Sequence, residues 1–284
     1  MTPTESKPLL TIIVAVFNGA KTLQQCIDSV AKQTYENKEL IIIDGGSQDG
    51  TVDLLKVNNS RIDYWISESD NGIYSAWNKG VLRAKGEWIC FLGADDYFWG
   101  DDRMLENLAN CLMGIPIDIR VAYSQIMLLN MKGEELYPTG VPWPQIKDSF
   151  KQLMSISHQG VMHRRDLFEQ RGFFDESFRI AGDYELLLRE LKINDALFIP
   201  DLIMTGMRQG GISSNPANTL KALQEIRRAQ RMHGQKIPGR LWLMAIVRMY
   251  IRFFLWRLLG EELTKKALDM YRRMRGLSPY WTKI

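Results

Sequence analysis

Cysteine and histidine are scarce: the 284 residues hold three of each. Cys26, Cys90 and Cys111 follow no metal-ligand spacing and form no disulfide framework. His158, His163 and His233 are too scattered to make a zinc site. No run of about twenty uncharged apolar residues exists, so an obvious membrane span is excluded. Met1 to Lys7 lacks an apolar signal core, which makes the cytoplasm the expected compartment. Gly45, Gly46 and Gly50 cluster without forming G-x-G-x-x-G, and G-K-[ST] is absent. These two absences weigh against a dinucleotide dehydrogenase and a P-loop NTPase. Repeats and low-complexity segments are also missing.

What is present belongs to a globular protein. Apolar residues make up 45% and charged residues 24%, which excludes a disordered or fibrous chain. A chain of this size buries roughly 75% of its unfolded surface, enough for a sizeable core. The charge is uneven. Met1 to Leu220 carries 21 basic and 29 acidic residues, net −8, and Lys221 to Ile284 carries 15 basic and 4 acidic, net +11. An acidic body with a basic tail suggests two tasks, the second involving an anionic partner.

Leu9 to Val16, Glu39 to Asp44 and Trp88 to Leu92 are continuous apolar runs, read as strands buried on both faces. Ile62 to Ile66 is a shorter strand. Lys21 to Gln33, Thr51 to Lys56 and Tyr74 to Ala84 have helical character. The alternation predicts an α/β fold with a mostly parallel sheet covered by helices. Val121 to Leu129 and Glu135 to Tyr137 flank Lys132-Gly133 as a hairpin. Pro138 to Pro144 reads as a proline-rich loop, Ile156 to His163 as a strand and Asp183 to Leu191 as a helix. From about Asn215 to Arg275 the pattern is helical, broken at Pro238-Gly239.

In open parallel sheets, ligands bind outside the carboxyl ends of the strands. Those ends carry Phe17-Asn18, Asp44 and Asp95-Asp96. An aromatic can stack on a base, and a carboxylate can accept from a ring N–H. Two adjacent carboxylates repel unless a cation lies between them, and the pair suits a hard divalent ion that also takes diphosphate oxygens.

Four ordered blocks are TIIVAVFN, IIIDGGSQDGT, SESDNGIYSAWNKGVLRAKGEWICFLGADDYF and HQGVMHRRDLFEQRGFFDESFRIAGDYELLLR. Together they resemble the family 2 glycosyltransferases of GT-A fold, over about Leu9 to Ser213. Their order is similar to the bacterial branch that builds O-antigen and exopolysaccharide units. The resemblance implies a Rossmann-like GT-A sheet with a C-terminal helical extension. It implies an inverting enzyme that moves a hexose from a nucleoside-diphosphate sugar, UDP-linked, to a hydroxyl of a lipid-linked saccharide.

The resemblance also assigns roles. Phe17 is the base-stacking aromatic and Asp44 the base-reading carboxylate, with Ala15 and Asn18 beside them. Asp70, Gly72, Asn78 and Lys79 border the nucleotide-sugar site. Asp95 and Asp96 hold a divalent cation, Mn²⁺ or Mg²⁺, with Asp95 also on the donor. His158 and Gln159 face donor sugar and acceptor, and Asp183 is the catalytic base. Gly93, Gly45 and Ser75 stand where the common pattern has acids. A sugar-nucleotide nucleotidyltransferase is the competing enzyme reading, but VFNGAKT poorly matches the Gly-rich basic loop of that class. A non-catalytic membrane-surface protein on a decayed transferase fold is the other alternative.

Leu241 to Leu259 (LWLMAIVRMYIRFFLWRLL) is apolar and aromatic, interrupted by Arg248, Arg252 and Arg257. The expected division is residues 1–215 as the transferase domain and 216–284 as basic amphipathic helices. These would lie on an anionic membrane at the inner face, with Trp242, Phe253, Phe254 and Trp256 inserted. The aliphatic density argues against a nucleic-acid partner. The competing reading is a helix packed on the domain with solvated arginines.

Overall fold

The structure, a computed structural model, describes residues 7–208, 216–276, 279 and 281–282. The end of the family-like blocks at Ser213 and the boundary at Asn215 lie outside the described residues. Leu10–Val16 (β1), Lys38–Asp44 (β2) and Trp88–Gly93 (β4) form the centre of the sheet, with Tyr64–Ser67 (β3) outside β2. These four pair in parallel. Their runs are apolar at successive positions because helices cover both faces. Thr51–Val57 (α2) links β2 towards β3. Leu23–Ala31 (α1) and Met104–Leu112 (α4) pack on one face, and Ile73–Arg83 (α3) on the other.

Beyond β4 the sheet becomes mixed. Val161–Arg164 (β8) runs antiparallel to β4 and to Val121–Leu129 (β6). Leu197–Arg208 (β9) runs parallel to β6, and Tyr97–Phe98 (β5) closes the edge against β9. Among the described residues the order is β3-β2-β1-β4-β8-β6-β9-β5, with Glu135–Thr139 (β7) paired to β6 as the expected hairpin. The result is a GT-A-like α/β fold with flanking helices and a C-terminal helix.

Three local expectations change. Pro138 lies inside β7, a peripheral strand that tolerates a missing N–H, and Trp143–Phe150 (α5) begins with Pro144 in its first turn. The loop is therefore shorter than PTGVPWP suggests. His158–Gly160 is a 3₁₀ turn, and only the residues after it enter β8. The sequence pattern gives no element over residues 192–214, yet all of β9 lies within them. Pro200 and Asp201, the latter at φ +58°, interrupt its alternation, and its register against β6 shifts there.

Asp166–Arg171 (α6) and Gly182–Leu191 (α7) complete the helical layer over α3 and α5. Pro216–Met232 (α8) packs into the same layer, and its Ile226 and Ala229 share a core with Ile13 and Trp77. The expected boundary thus falls just before a helix that belongs to the core packing. Arg240–Met274 (α9) follows the break at Pro238-Gly239 and kinks at Gly260, whose φ of +75° suits glycine. Among the described residues no helix is long and apolar enough to cross a membrane.

Candidate active site

Parallel pairing sets the carboxyl ends of β1, β2 and β4 side by side: Val16 is opposite Asp44, and Ala15 is opposite both Ile43 and Gly93. The loops that leave these ends therefore share one edge of the molecule. Phe17 is held outward at 68% exposure. Asn18 takes the left-handed φ of +52°, which asparagine tolerates better than most residues. It donates its N–H to Ser47 Oγ at 2.7 Å and accepts the Gln48 N–H at 3.1 Å. This fastens the β1 loop to the β2 loop beneath Phe17.

Asp44 departs from the expected geometry of a base reader. It has no exposed surface, and its carboxylate accepts from the Gly46 and Ser47 N–H groups at 3.2 and 3.0 Å. The hydroxyls of Ser67, at 2.6 Å, and of Ser47 also donate to it. It anchors the 45–48 loop from below. The partly open carboxylate on this edge is Asp70. A Cβ built on Gly45 would meet Asp70 Oδ2 at 3.0 Å, so Asp70 fills space beside the missing acid at position 45. Asp70 also accepts the Gly72 N–H at 2.8 Å, and Gly72 at φ +114° leads into α3.

A cavity of about 700 Å³ opens beside this edge, within the range of small-molecule sites. Asp95 and Asp96 lie on its wall with Gly93. Asp96 is buried, and its Oδ2 accepts the Gly93 N–H at 3.0 Å. Burial, then the Asp95 charge, push its carboxyl up to about 8. Asp95 is more open. A Cβ at Gly93 would meet Asp95 Oδ1 at 2.8 Å and Asp96 Oδ2 at 3.1 Å, so the glycine leaves room beside both carboxylates. Among the described residues no group of three or more His, Cys, Asp or Glu converges as a metal cage. A repelling carboxylate pair with open space fits a hard cation that completes its shell with water and ligand oxygens.

Asp183 sits in the first turn of α7 and lines the same cavity. It accepts the Tyr184 N–H at 2.8 Å and the Tyr74 hydroxyl at 3.4 Å. Burial outweighs these bonds and pushes its carboxyl up to about 6. That is well placed for a general base near neutrality. Tyr74 also accepts the Gly182 N–H at 2.8 Å, which fixes the start of α7.

His158 and Gln159 line the cavity from the 3₁₀ turn. The His158 ring lies 4.9 Å from Trp77 and 5.5 Å from Phe91, centroid to centroid. Burial lowers its pKa well below the usual value, so the ring is neutral, and its Nε2 has no protein partner among the described residues. Asn78 and Lys79 are not brought to this cavity. Asn78 bonds Phe174 through both backbone groups and Glu176 through its carboxylate, tying α3 to the 174–176 loop. Lys79 pairs with Glu68 at 2.8 Å beside a smaller groove. Their helix is in the expected place, but their side chains leave its other faces.

Sequence reasoning missed five contributors: Tyr74, Arg179, Arg208 and the α8 residues Ala222 and Ile226, all on the cavity wall. Arg208 ends β9, and its guanidinium reaches Gln25 Oε1 at 2.7 Å. A cation at the carboxyl end of the missed strand was the available signal.

Comparison with known proteins agrees with this architecture. Residues 11–170 match the profile of glycosyl transferase family 2. The PGL/p-HBAD biosynthesis glycosyltransferase of Mycobacterium tuberculosis is 30% identical over 187 residues, 64% of this chain and 69% of the relative. An uncharacterized glycosyltransferase of Rickettsia typhi is 29% identical over 224 residues, 77% of this chain and 69% of the relative. Among solved structures, S. aureus TarS 1–349 in complex with UDP-GlcNAc superposes with a TM-score of 0.62 at 15% identity, covering 93% of this chain and 77% of that one. The mannosyltransferase PcManGT from Pyrobaculum calidifontis, in complex with GDP-Man and Mn²⁺, gives 0.60 at 17% identity, covering 98% and 83%. At these identities the superpositions speak to fold, and the family rests on the matched sequence: the chain is a member of glycosyl transferase family 2, a glycosyltransferase of GT-A fold.

Proposed function

We propose that the enzyme transfers a hexose from a nucleoside-diphosphate sugar, UDP-linked, to a hydroxyl of a lipid-linked saccharide in bacterial surface-polysaccharide synthesis, with inversion. The observation that carries this is one cavity lined by the Asp95-Asp96 pair and by Asp183. The base lies on Phe17, with Asp70 as the open carboxylate and Asp44 supporting the loop. Asp95 and Asp96 would hold Mn²⁺ or Mg²⁺, Asp95 being the more open of the two. When bound, the cation supplies Lewis-acid stabilisation to the leaving diphosphate. Arg208 adds positive charge on that side.

Asp183 takes the proton of the acceptor hydroxyl as its oxygen attacks the anomeric carbon. The bond from that carbon to the diphosphate breaks on the opposite side, so a single displacement inverts the centre. Neutral His158 lines the cavity without adding charge. TarS with UDP-GlcNAc and PcManGT with GDP-Man and Mn²⁺ support the donor class and the cation by analogy. A panel of sugar nucleotides with Mn²⁺ or Mg²⁺ and a lipid-linked acceptor extract tests the reading. One donor should be consumed, and consumption of none contradicts it.

The acceptor's lipid directs attention to α9. Phe253 and Phe254 are 59% and 61% exposed, and Leu243, Val247, Ile251 and Leu258 are exposed with them. Trp242 is not available for insertion: it packs on the core, and its indole N–H bonds Leu223 O at 2.8 Å. We read α9 as lying on the inner membrane face. Each Lys or Arg near an anionic surface contributes about 1 kcal/mol, screened within a Debye length. Apolar burial is unscreened, and a fully buried Phe contributes about 1.5–3 kcal/mol. Binding to anionic vesicles should therefore weaken with salt without vanishing. Phe253→Ser with Phe254→Ser should remove the salt-resistant part, about tenfold or more in affinity. Failure of the intact chain to co-sediment with anionic vesicles at low salt ends the membrane reading.

A further inference from the structure

The loop that delivers Asp183 is held by a helix outside the matched family region. Residues 175–181 run into α7 and carry Arg179, Ile180 and Ala181, all on the cavity wall. The Glu225 carboxylate, from α8, accepts the backbone N–H groups of all three. Its Oε1 takes Arg179 N at 3.0 Å, and its Oε2 takes Ile180 N at 2.8 Å and Ala181 N at 2.9 Å. Arg228 lies one turn further along α8. Its guanidinium donates to Ser177 Oγ at 2.6 Å and Ser177 O at 3.2 Å, and lies 4.3 Å from the Phe178 ring centroid. The Arg179 guanidinium in turn donates to Asn71 O, beside Asp70 and Gly72. The loop is thus gripped from α8 and joined to the donor-side loop.

The geometry points to Glu225 as a positioning residue that sets where the Asp183 carboxylate stands against the acceptor hydroxyl. This rests on the reading of Asp183 as the base. Three backbone N–H groups in succession on one buried carboxylate form a charge-assisted clamp, stronger than neutral bonds. Their targets are the three residues immediately before α7, so a shift there moves Asp183 directly. A displacement of about 1 Å at a reacting group costs on the order of 10²-fold in rate. Glu225 is also a negative charge near Asp183. The titratable groups facing Asp183 are Tyr74 from α3 and Glu225 from α8, with Arg179 in the same cavity.

The test uses the full chain with donor, cation and acceptor. Glu225→Gln keeps the shape, removes the charge and turns one acceptor oxygen into a donor. It should lower kcat about tenfold or more, with the donor KM within about twofold. The acid limb of its pH profile should move to lower pH, because a negative neighbour of Asp183 is gone. Glu225→Asp retains both oxygens and should recover part of kcat if Glu225→Gln folds poorly, with rates normalised to sites that bind donor. In an Asp183→Asn background, Glu225→Gln should add no further loss, since residues acting through one another are not additive. A purely structural role would lower the melting temperature and leave the acid limb in place, and that result overturns the proposal. So does a parental kcat in Glu225→Gln while Asp183→Asn is inactive. If Asp183→Asn itself retains the parental kcat, the base reading fails and the proposal falls with it.

Discussion

Asparagine at both Asp95 and Asp96 is expected to abolish turnover and cation-dependent donor binding while the fold survives. The pair lies at a strand end on the cavity wall, and Asp96 accepts the Gly93 N–H at 3.0 Å, with the Gln159 side chain also hydrogen-bonding to it. An asparagine oxygen can still accept the Gly93 N–H, so the local backbone keeps its partner. Stability should move in a defined direction. The Asp96 carboxyl is raised to about 8 by burial and then by Asp95. A raised folded value gives stability that is complete below the unfolded carboxylate range and lost as pH rises through about 8. Asparagine resembles the protonated form, so without cation the variant should match or exceed the parent's melting temperature near pH 8. Mn²⁺ should raise the melting temperature of the parent and leave the variant unchanged. Because a carboxyl must release its proton to bind metal, the parent's Mn²⁺ affinity should rise with pH up to about 8. Full activity of the double variant in a chelator contradicts the assignment.

The second large effect belongs to Asp183. Asp183→Asn keeps the size of the side chain and an oxygen for the Tyr184 N–H and the Tyr74 hydroxyl, and removes only the base. Loss of a general base costs about 10²–10⁴ in rate. Donor affinity should stay close to the parent's, since the proposed function puts the donor's phosphates with Asp95 and Asp96. The parent's kcat/KM should fall as pH drops through about 6, because burial raises the Asp183 carboxyl to that value and the protonated form cannot accept a proton. An acid limb near 4, the ordinary carboxylate range, or a kcat within a few-fold of the parent in Asp183→Asn, removes Asp183 from the mechanism.

The half of the molecule that positions the donor edge was legible because its signals are local. LTIIVAV, ELIIID and WICFLG are continuous apolar runs, and parallel pairing of such runs puts Phe17, Asp44 and Asp95-Asp96 on one edge. Asp183 was legible as an acid opening an amphipathic helix. The residues whose side chains turn away from the cavity depend on directions that a sequence does not carry. Asp44 is at the expected strand end, but its oxygens turn down onto the 46–47 amides and Ser67. Asn78 and Lys79 are in the expected helix, but neither reaches the cavity wall. β9 was illegible because Pro200 and Asp201 break its alternation and because its partner β6 lies nearly eighty residues earlier. Glu225 and Trp242 were absorbed into a basic, aromatic tail whose composition suggested lipid. Only tertiary contacts separate the residues of that tail that hold the loop before α7 and the core from those, such as Phe253 and Phe254, that stay exposed.

The central claim is that one cavity holds a cation-bound sugar nucleotide opposite a carboxylate base. Release of nucleoside diphosphate, followed with a saccharide-lipid extract and a panel of sugar nucleotides across pH 5 to 8, tests it most directly. The account predicts release from one donor, dependent on Mn²⁺ or Mg²⁺, rising through about pH 6 in the parent and lost in Asp183→Asn. Release that persists in a chelator, or that is equal in the parent and in Asp183→Asn, would contradict it.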